Sequence, residues 1–239
     1  MEVRLLKEER FENPQMVAGW PGMALLARMC VDYLILGLKA EPFAEIYSRG
    51  NSVVVKDGLA EISSVRNTFY HHEQVIIFSG EEQPGLVDEV YRIADIVLEF
   101  AKRHKVERLY TVAAFPATFD SIPKVFGVAN SAKLVDELQR LNIPVLSEGF
   151  VTGLNGVLVG VAKEKGIDAV CLLGQILRVN IPQPRTVKAV LDTLAKMIGI
   201  KLDTSGLEKE AEMMEESIRK EVERVHRERI RKETERYIS

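Results

Sequence analysis

Three glycines, Gly149, Gly153 and Gly156, stand in the run "GFVTGLNG" just ahead of an apolar stretch with helical spacing. Glycines at such a place let backbone N–H groups approach a phosphate, and the N-terminus of a helix favours an anion. The spacing, however, is neither G-x-G-x-x-G nor G-x-x-x-x-G-K-[ST], and no lysine or hydroxyl stands where a phosphate loop needs one. A tight turn with close helix–sheet packing is the preferred reading. A second glycine pair, Gly19 and Gly22, encloses Trp20 and Pro21 in "GWPG". Pro21 removes an N–H and Trp20 is bulky, so this is a poor phosphate loop. It reads as a corner between a strand and a helix, with Pro21 suited to the first helical turn. Trp20 then plugs a gap or faces a partner.

Other groups that could do chemistry are scattered. Glu81 and Glu82 follow a strand-like run, Glu148 precedes the glycine turn, and Asp120 lies in another loop. A pair of carboxylates can hold magnesium or move protons, but the spacing brings no two of these together. His71 and His72 are adjacent near a strand end, where successive side chains point opposite ways. His104 falls at a helix C-terminus, where positive charge is favourable, and His226 lies near the end of the chain. Neither Cys-x-x-Cys nor a G-x-S-x-G elbow occurs. No catalytic, cofactor-binding or metal-binding residue is assigned, and no cofactor is expected.

The elements around these residues follow from apolar periodicity. "PQMVAGW", "EQVIIFSG", "VERLYTVAAF" and "IDAVCLLGQ" read as buried strands. "FAEIYS", "SVVVKDGLAEI" and "IPVLSEGF" are strand-like, the second holding a Lys56-Asp57-Gly58 hairpin turn. Helical spacing marks "GMALLARMCVDYLILGL", "GLVDEVYRIADIVLEFAKRH", "SAKLVDELQRL" with Ser131 at its N-cap, "NGVLVGVAKEKG" ending at Gly166, and "PRTVKAVLDTLAKMIG" ending at Gly199. Strands alternating with helices predict an α/β fold with a mainly parallel sheet covered on both faces. The hairpin makes that sheet mixed. Loops leaving the strand ends ("GWPG", "SGEEQPG", "AAFPATFD", "SEGFVTGLNG", "GQILRVNIPQP") could line one crevice.

Bulk properties narrow the classes. The chain has 239 residues, 46% hydrophobic, with a net charge of -3. That suffices for one core with an appendage and lacks the basic footprint of a nucleic-acid binder. Cys30 and Cys171 sit in apolar runs and read as buried thiols in a reducing compartment. No run approaches the roughly 18 apolar residues of a membrane span. The charged N-terminal run is not a signal peptide. A soluble cytoplasmic protein without membrane contact is expected.

Past residue 203 the character changes, dividing the chain into a 1–203 α/β core and a 204–239 charged helical tail. Leu207, Ala211, Met214, Ile218, Val222, Val225 and Ile230 follow one another at steps of 4, 3, 4, 4, 3 and 5. That is a thin stripe near a coiled-coil seam, with acids early and bases late as the helix dipole prefers. So narrow a stripe needs a partner. Its first half can lie on the domain, and its second half projects or pairs with another subunit.

"GWPGMALLARMCVDYLI", "GFVTGLNGVLVGVAKEKGIDAVCLLGQ" and "VLDTLAKMIGIKLDTSGLEKEAEMME", in that order, resemble the proteasome assembly chaperone family in its archaeal form, from about Met16 to about Glu216. The ligase pattern behind the ATP-grasp label sometimes given to such proteins is not visible. The resemblance implies a three-layer αβα domain similar to nucleoside phosphorylases but without their activity, with a long C-terminal helix. It implies a homo-oligomer, such as a closed ring, that assists assembly of proteasome α-subunits. In some archaeal relatives a helical tail ending hydrophobic-Tyr-any docks between α-subunits. Here the chain ends Arg236-Tyr237-Ile238-Ser239, so Ile238 takes the tyrosine's place. The tyrosine is displaced by about 1.5 Å along a helix or about 3.3 Å if extended. Val225, Ile230, Tyr237 and Ile238 are the expected contacts, to proteasome α-subunits or another small protein. Gly19, Trp20, Pro21, Gly22, Gly149, Gly153 and Gly156 are expected to be structural corners. The rival expectation is an enzyme of nucleoside or phosphate-ester chemistry at a crevice near Gly19, Glu81 and Gly153.

Overall fold

A computed structural model describes residues 3–119 and 122–217, together with 220 and 224. In chain order its elements are β1 (Val3–Leu5), β2 (Gln15–Gly19), a 3-10 turn (Met23–Leu25), α1 (Leu26–Leu38), β3 (Glu41–Lys56), β4 (Leu59–His72) and β5 (Val75–Gly80). They continue with α2 (Val87–Arg103), β6 (Arg108–Pro116), β7 (Val125–Ala129), α3 (Ala132–Arg140), α4 (Gly153–Glu164), β8 (Asp168–Ile176) and α5 (Pro184–Ile198). Residues 205–217 are again helical.

The strands form one eight-stranded sheet in the order β1-β3-β4-β5-β2-β6-β8-β7. Its centre, β5-β2-β6-β8, is parallel. The hairpin β3-β4 and the short β1 extend one side in antiparallel fashion, and β7 pairs antiparallel with β8 on the other. Central strands read as unbroken apolar runs because both faces are covered: every residue of β5 and all but the first of β8 are buried. One face packs α2 and α4 through Ile93, Val97, Leu98, Leu154 and Leu158. The other packs α1, α3 and α5 through Leu26, Val31, Leu134, Val190 and Leu191. The fold is therefore the expected α/β architecture, a mixed sheet between two helical layers.

Charge and caps agree with these positions. Helix α2 carries Asp88 and Glu89 in its first turn and Lys102 and Arg103 in its last, complementing its dipole. Helix α5 opens on Pro184 and closes on Gly199 with φ of 73°, a left-handed stop that costs glycine nothing.

Several local readings need correction. "IPVLSEGF" is not a strand: only Val145 makes a bridge, to Gly127, before the chain turns away toward α4. "FAEIYS" and "SVVVK" are not two strands but parts of the single 16-residue β3. β1 and β7 were not expected. Pro21 does not open a helix, because a 3-10 turn with Ala24 and Leu25 at positive φ intervenes and α1 starts at Leu26. Ser131 stands at the N-cap of α3, but its hydroxyl makes no capping bond and is buried without a partner.

Candidate protein-interaction surface

The "GWPG" corner sits where β2 ends, between the ends of its parallel neighbours. Gly19 is held against α1, where a Cβ would lie 2.8 Å from both the Ala27 carbonyl oxygen and Val31 Cγ1. Trp20 is fully buried. Its ring meets Phe78 edge-on at 5.0 Å and lies so close over Gly80 that a Cβ there would stand 2.0 Å from Trp20 Cδ1. Asn155, buried in the first turns of α4, clamps the same residue. The Trp20 N–H donates to Asn155 Oδ1 at 3.0 Å, and Asn155 Nδ2 donates to the Trp20 carbonyl at 3.3 Å. Pro21 and Gly22 follow, with Gly22 solvent-exposed and extended at φ of -155°.

The glycine run 149–156 leads into α4. Gly149 has φ of +145° and Gly153 of +71°, and a Cβ at Gly156 would collide with the Val151 carbonyl at 2.1 Å. Backbone conformation at the first two and close approach at the third account for glycine. The N–H of Leu154, which an anion would seek, donates instead to Gln83 Oε1 at 3.1 Å. Gln83 escaped the sequence reading because its partner lies 71 residues away and leaves no local pattern.

The carboxylates do not converge on a metal. Glu81 accepts from the Arg66 N–H at 3.0 Å and faces Arg66 Nε at 3.4 Å. Glu82 and Glu148 line separate surface hollows. Asp120 and His226 lie outside the described residues. Among the described residues no group of three or more His, Cys, Asp or Glu side chains is gathered as a metal site would need. His71 Nε2 faces Glu9 at 3.4 Å. His104, expected to favour its charged form at the end of α2, has its pKa lowered. Burial among Phe11, Phe43 and Phe100 disfavours the cation, and Arg103 adds to this. Cys30 and Cys171 are both buried, and burial pushes the Cys171 thiol up to about 12.

The root of the C-terminal helix differs in kind. Leu207 and Ala211 are buried against the domain and Met214 is half-buried, while 215–217 are exposed. Arg185 at the start of α5 binds Glu208 at 2.9 Å and also pairs with Glu215. Thr204 Oγ1 donates to Asp192 Oδ1 at 2.7 Å. Beside this root, the loops after β6 and β8 enclose a cleft of about 850 Å³. Phe119, Leu177, Ile181, Pro182, Ala211 and Met214 form its apolar walls, with Arg178 and Arg185 also lining it. Ile122 and Leu177 at this cleft are exposed. Val225, Ile230, Tyr237 and Ile238, the expected tail contacts, lie outside the described residues. Among the described residues no helix is long and apolar enough to cross a membrane.

An αβα domain with its strand-end corner packed solid, and its open apolar surface at the root of a charged helix, has the make-up of a protein-binding module. The chain belongs to the PAC2 family, whose model matches residues 16–222. Its fold is that of PbaA of Pyrococcus furiosus, an archaeal homologue of a proteasome-assembly chaperone, at 25% identity with a TM-score of 0.80 over 98% of each chain. PbaB of the same organism, an archaeal proteasome activator, superposes with a TM-score of 0.80 at 24% identity, covering 91% of this chain and 97% of that one. An uncharacterized protein of Methanocaldococcus jannaschii is 27% identical over 222 residues, 89% of this chain and 84% of the other.

Proposed function

We propose that this chain is a non-catalytic assembly factor, a homo-oligomeric scaffold that presents its C-terminal helices to proteasome α-subunits or a related protein. One observation carries the reading. The helix that starts at residue 205 is fixed to the domain at its root by Leu207, Ala211 and the Arg185 ion pairs, and its described surface is exposed by residue 215. Among the described residues, buried apolar anchorage at Leu207 and Ala211 gives way to exposure at 215–217, which suits a presented arm better than a helix that completes the core. The thin stripe continues in sequence to Ile230, which leaves apolar contacts for another chain. PbaB is an archaeal proteasome activator and PbaA a homologue of a proteasome-assembly chaperone, which supports that class of partner. Several weak tails on one closed assembly gain avidity where their spacing matches the partner.

Enzyme chemistry at the strand-end crevice has less support. Trp20 occupies the space over Gly80, and Gln83 occupies the α4 N-terminus. The test is mass photometry of the protein alone and with α-subunits of its own proteasome, with and without Tyr237–Ser239. A heavy species that needs those three residues is expected. Assembly with α-subunits that survives the deletion would sink tail docking. A stable homo-oligomer that adds no mass would keep the scaffold and remove the proteasome as direct partner.

A further inference from the structure

The hairpin β3-β4 has two halves of different character. Near the sheet, Phe43, Ala44, Ile46, Val65 and Phe69 are buried. The register then shifts: Arg49 pairs with Ser64 and Val53 with Ile62, so β3 takes four steps where β4 takes two. Gly50 sits at this irregularity, where a Cβ would lie 2.0 Å from Ser63 Oγ. Such bulges bend a strand and increase its twist. Beyond it, Val53, Val54, Val55, Leu59 and Ile62 are 57 to 70% exposed. Side chains alternate between faces along a strand. Exposure of three consecutive valines therefore means that neither face of the outer hairpin is covered.

Its outer edge is also open. β1 pairs with β3 only across Ala44–Ile46, and no strand among the described residues pairs with the far side of Val53–Lys56. Within this edge Val53–Val55 are β-branched and free of charge and proline, a template for another strand. The outer hairpin is well formed without one: Lys56 pairs with Leu59 across a two-residue turn in which Asp57 and Gly58 both have positive φ.

We propose that this edge pairs antiparallel with the same edge of a second copy of the chain, about a two-fold axis at Val54. The sequence around it is self-complementary in one register. A two-fold at Val54 sets Val53 against Val55 of the second copy, Val54 against itself and Ser52 against Lys56, so the three valines meet and no like charges oppose. Moving the axis to Val55 sets Val54 against Lys56 and Val53 against Asp57. Moving it to Val53 sets Val54 against Ser52 and Lys56 against Gly50. Only the central axis keeps apolar with apolar on both faces, the pairing that stabilises antiparallel strands. The contact is isologous and closes at two copies. A second, different interface is needed to build a larger assembly. The inference rests on the homo-oligomeric part of the proposed function and names one of its contacts.

Because Cys30 and Cys171 are buried, Val54→Cys provides the one exposed thiol in the full-length chain. Directly opposed residues of an antiparallel pair have Cα atoms about 4.5–5.5 Å apart, within disulfide reach. Leu59→Cys, at a still more exposed site, lies on β4, so two copies sit about three strand spacings apart, about 14 Å or more. Mild oxidation followed by a non-reducing gel should give a covalent dimer of V54C at about tenfold or more the yield of L59C. V54K, at an exposed site, should keep its circular dichroism and lose the oligomer mass seen for the wild type. Three results overturn the proposal: equal or absent crosslinking, a V54K oligomer of unchanged mass, or an adduct of any mass other than twice the chain when oxidation is done in the expressing cell. In those cases a wild type that is still oligomeric leaves the scaffold standing with its contact elsewhere. A monomeric wild type removes both.

Discussion

The strand-end corner packs with the α2/α4 face and the root of the C-terminal helix with the α1/α5 face, and they use their residues in opposite ways. At the corner the inward space is filled: Trp20 covers Gly80, and the side-chain amides of Asn155 and Gln83 are engaged with main-chain groups. At the root the side chains around an open cleft are mostly apolar, and the main polar links, from Arg185 to Glu208 and Glu215, tie down a helix. A catalytic site needs space and convergent unengaged polar groups together. At these two places the two are separated, polar groups where there is no room and room where the walls are largely apolar. That division favours recognition of a protein surface over chemistry on a small molecule.

Truncating the corner is the most severe way to test this contrast. Trp20→Ala empties a fully buried site and should cost about 3–5 kcal/mol of global stability, read from the midpoint of a denaturant titration. If the change left stability intact but abolished partner binding, the corner would be a recognition site and the contrast would fail. At the root, Leu207→Ala removes an equally buried side chain. The expected loss is smaller, about 2 kcal/mol, because a segment near the chain end can open without the domain. Hydrogen exchange should show protection lost over 205–217 and kept in β5 and β8. Loss spread evenly over the sheet would mean that this helix belongs to the core.

How far these regions could be read in the sequence follows from the range of their interactions. The parallel centre was legible because β2, β5, β6 and β8 are continuous apolar runs, each followed or preceded by a helical period. The hairpin was legible from Asp57-Gly58. β1 was hidden because "VRL" sits among charges and pairs through its backbone with Ala44–Ile46. β7 was hidden because it is only five residues long and Gly127 at its middle reads as a break in an otherwise apolar run. "IPVLSEGF" has strand composition, but composition cannot supply a partner edge. The corner was readable as a corner from Gly19 and Pro21. Its contents were not, since Asn155 lies 135 residues from Trp20 and Gln83 lies 71 from Leu154. The bulge at Gly50 was missed for a similar reason: glycine in a strand-like run reads as a break, whereas β3 continues through it.

A weaker probe of the same contrast lies at the opposite end of the sheet, where His104 ends α2 among Phe11, Phe43 and Phe100. A position at a helix C-terminus favours the imidazolium, whereas burial disfavours it and prevails here, with the pKa lowered from its usual 6.5. The ring is therefore held as a neutral packing group. The sign of the consequence is fixed by linkage. Below pH 6.5 the unfolded chain takes up a proton that the folded chain resists, so this residue's contribution to stability is complete above about pH 6.5 and falls as pH drops toward the lowered value. Denaturation midpoints at pH 7.5 and 5.5 should differ more for the wild type than for His104→Phe, which keeps a ring and removes the titration. Wild-type stability that rises on acidification by an amount His104→Phe abolishes would show the imidazolium to be the favoured form. This end would then hold an engaged charge in a buried aromatic setting.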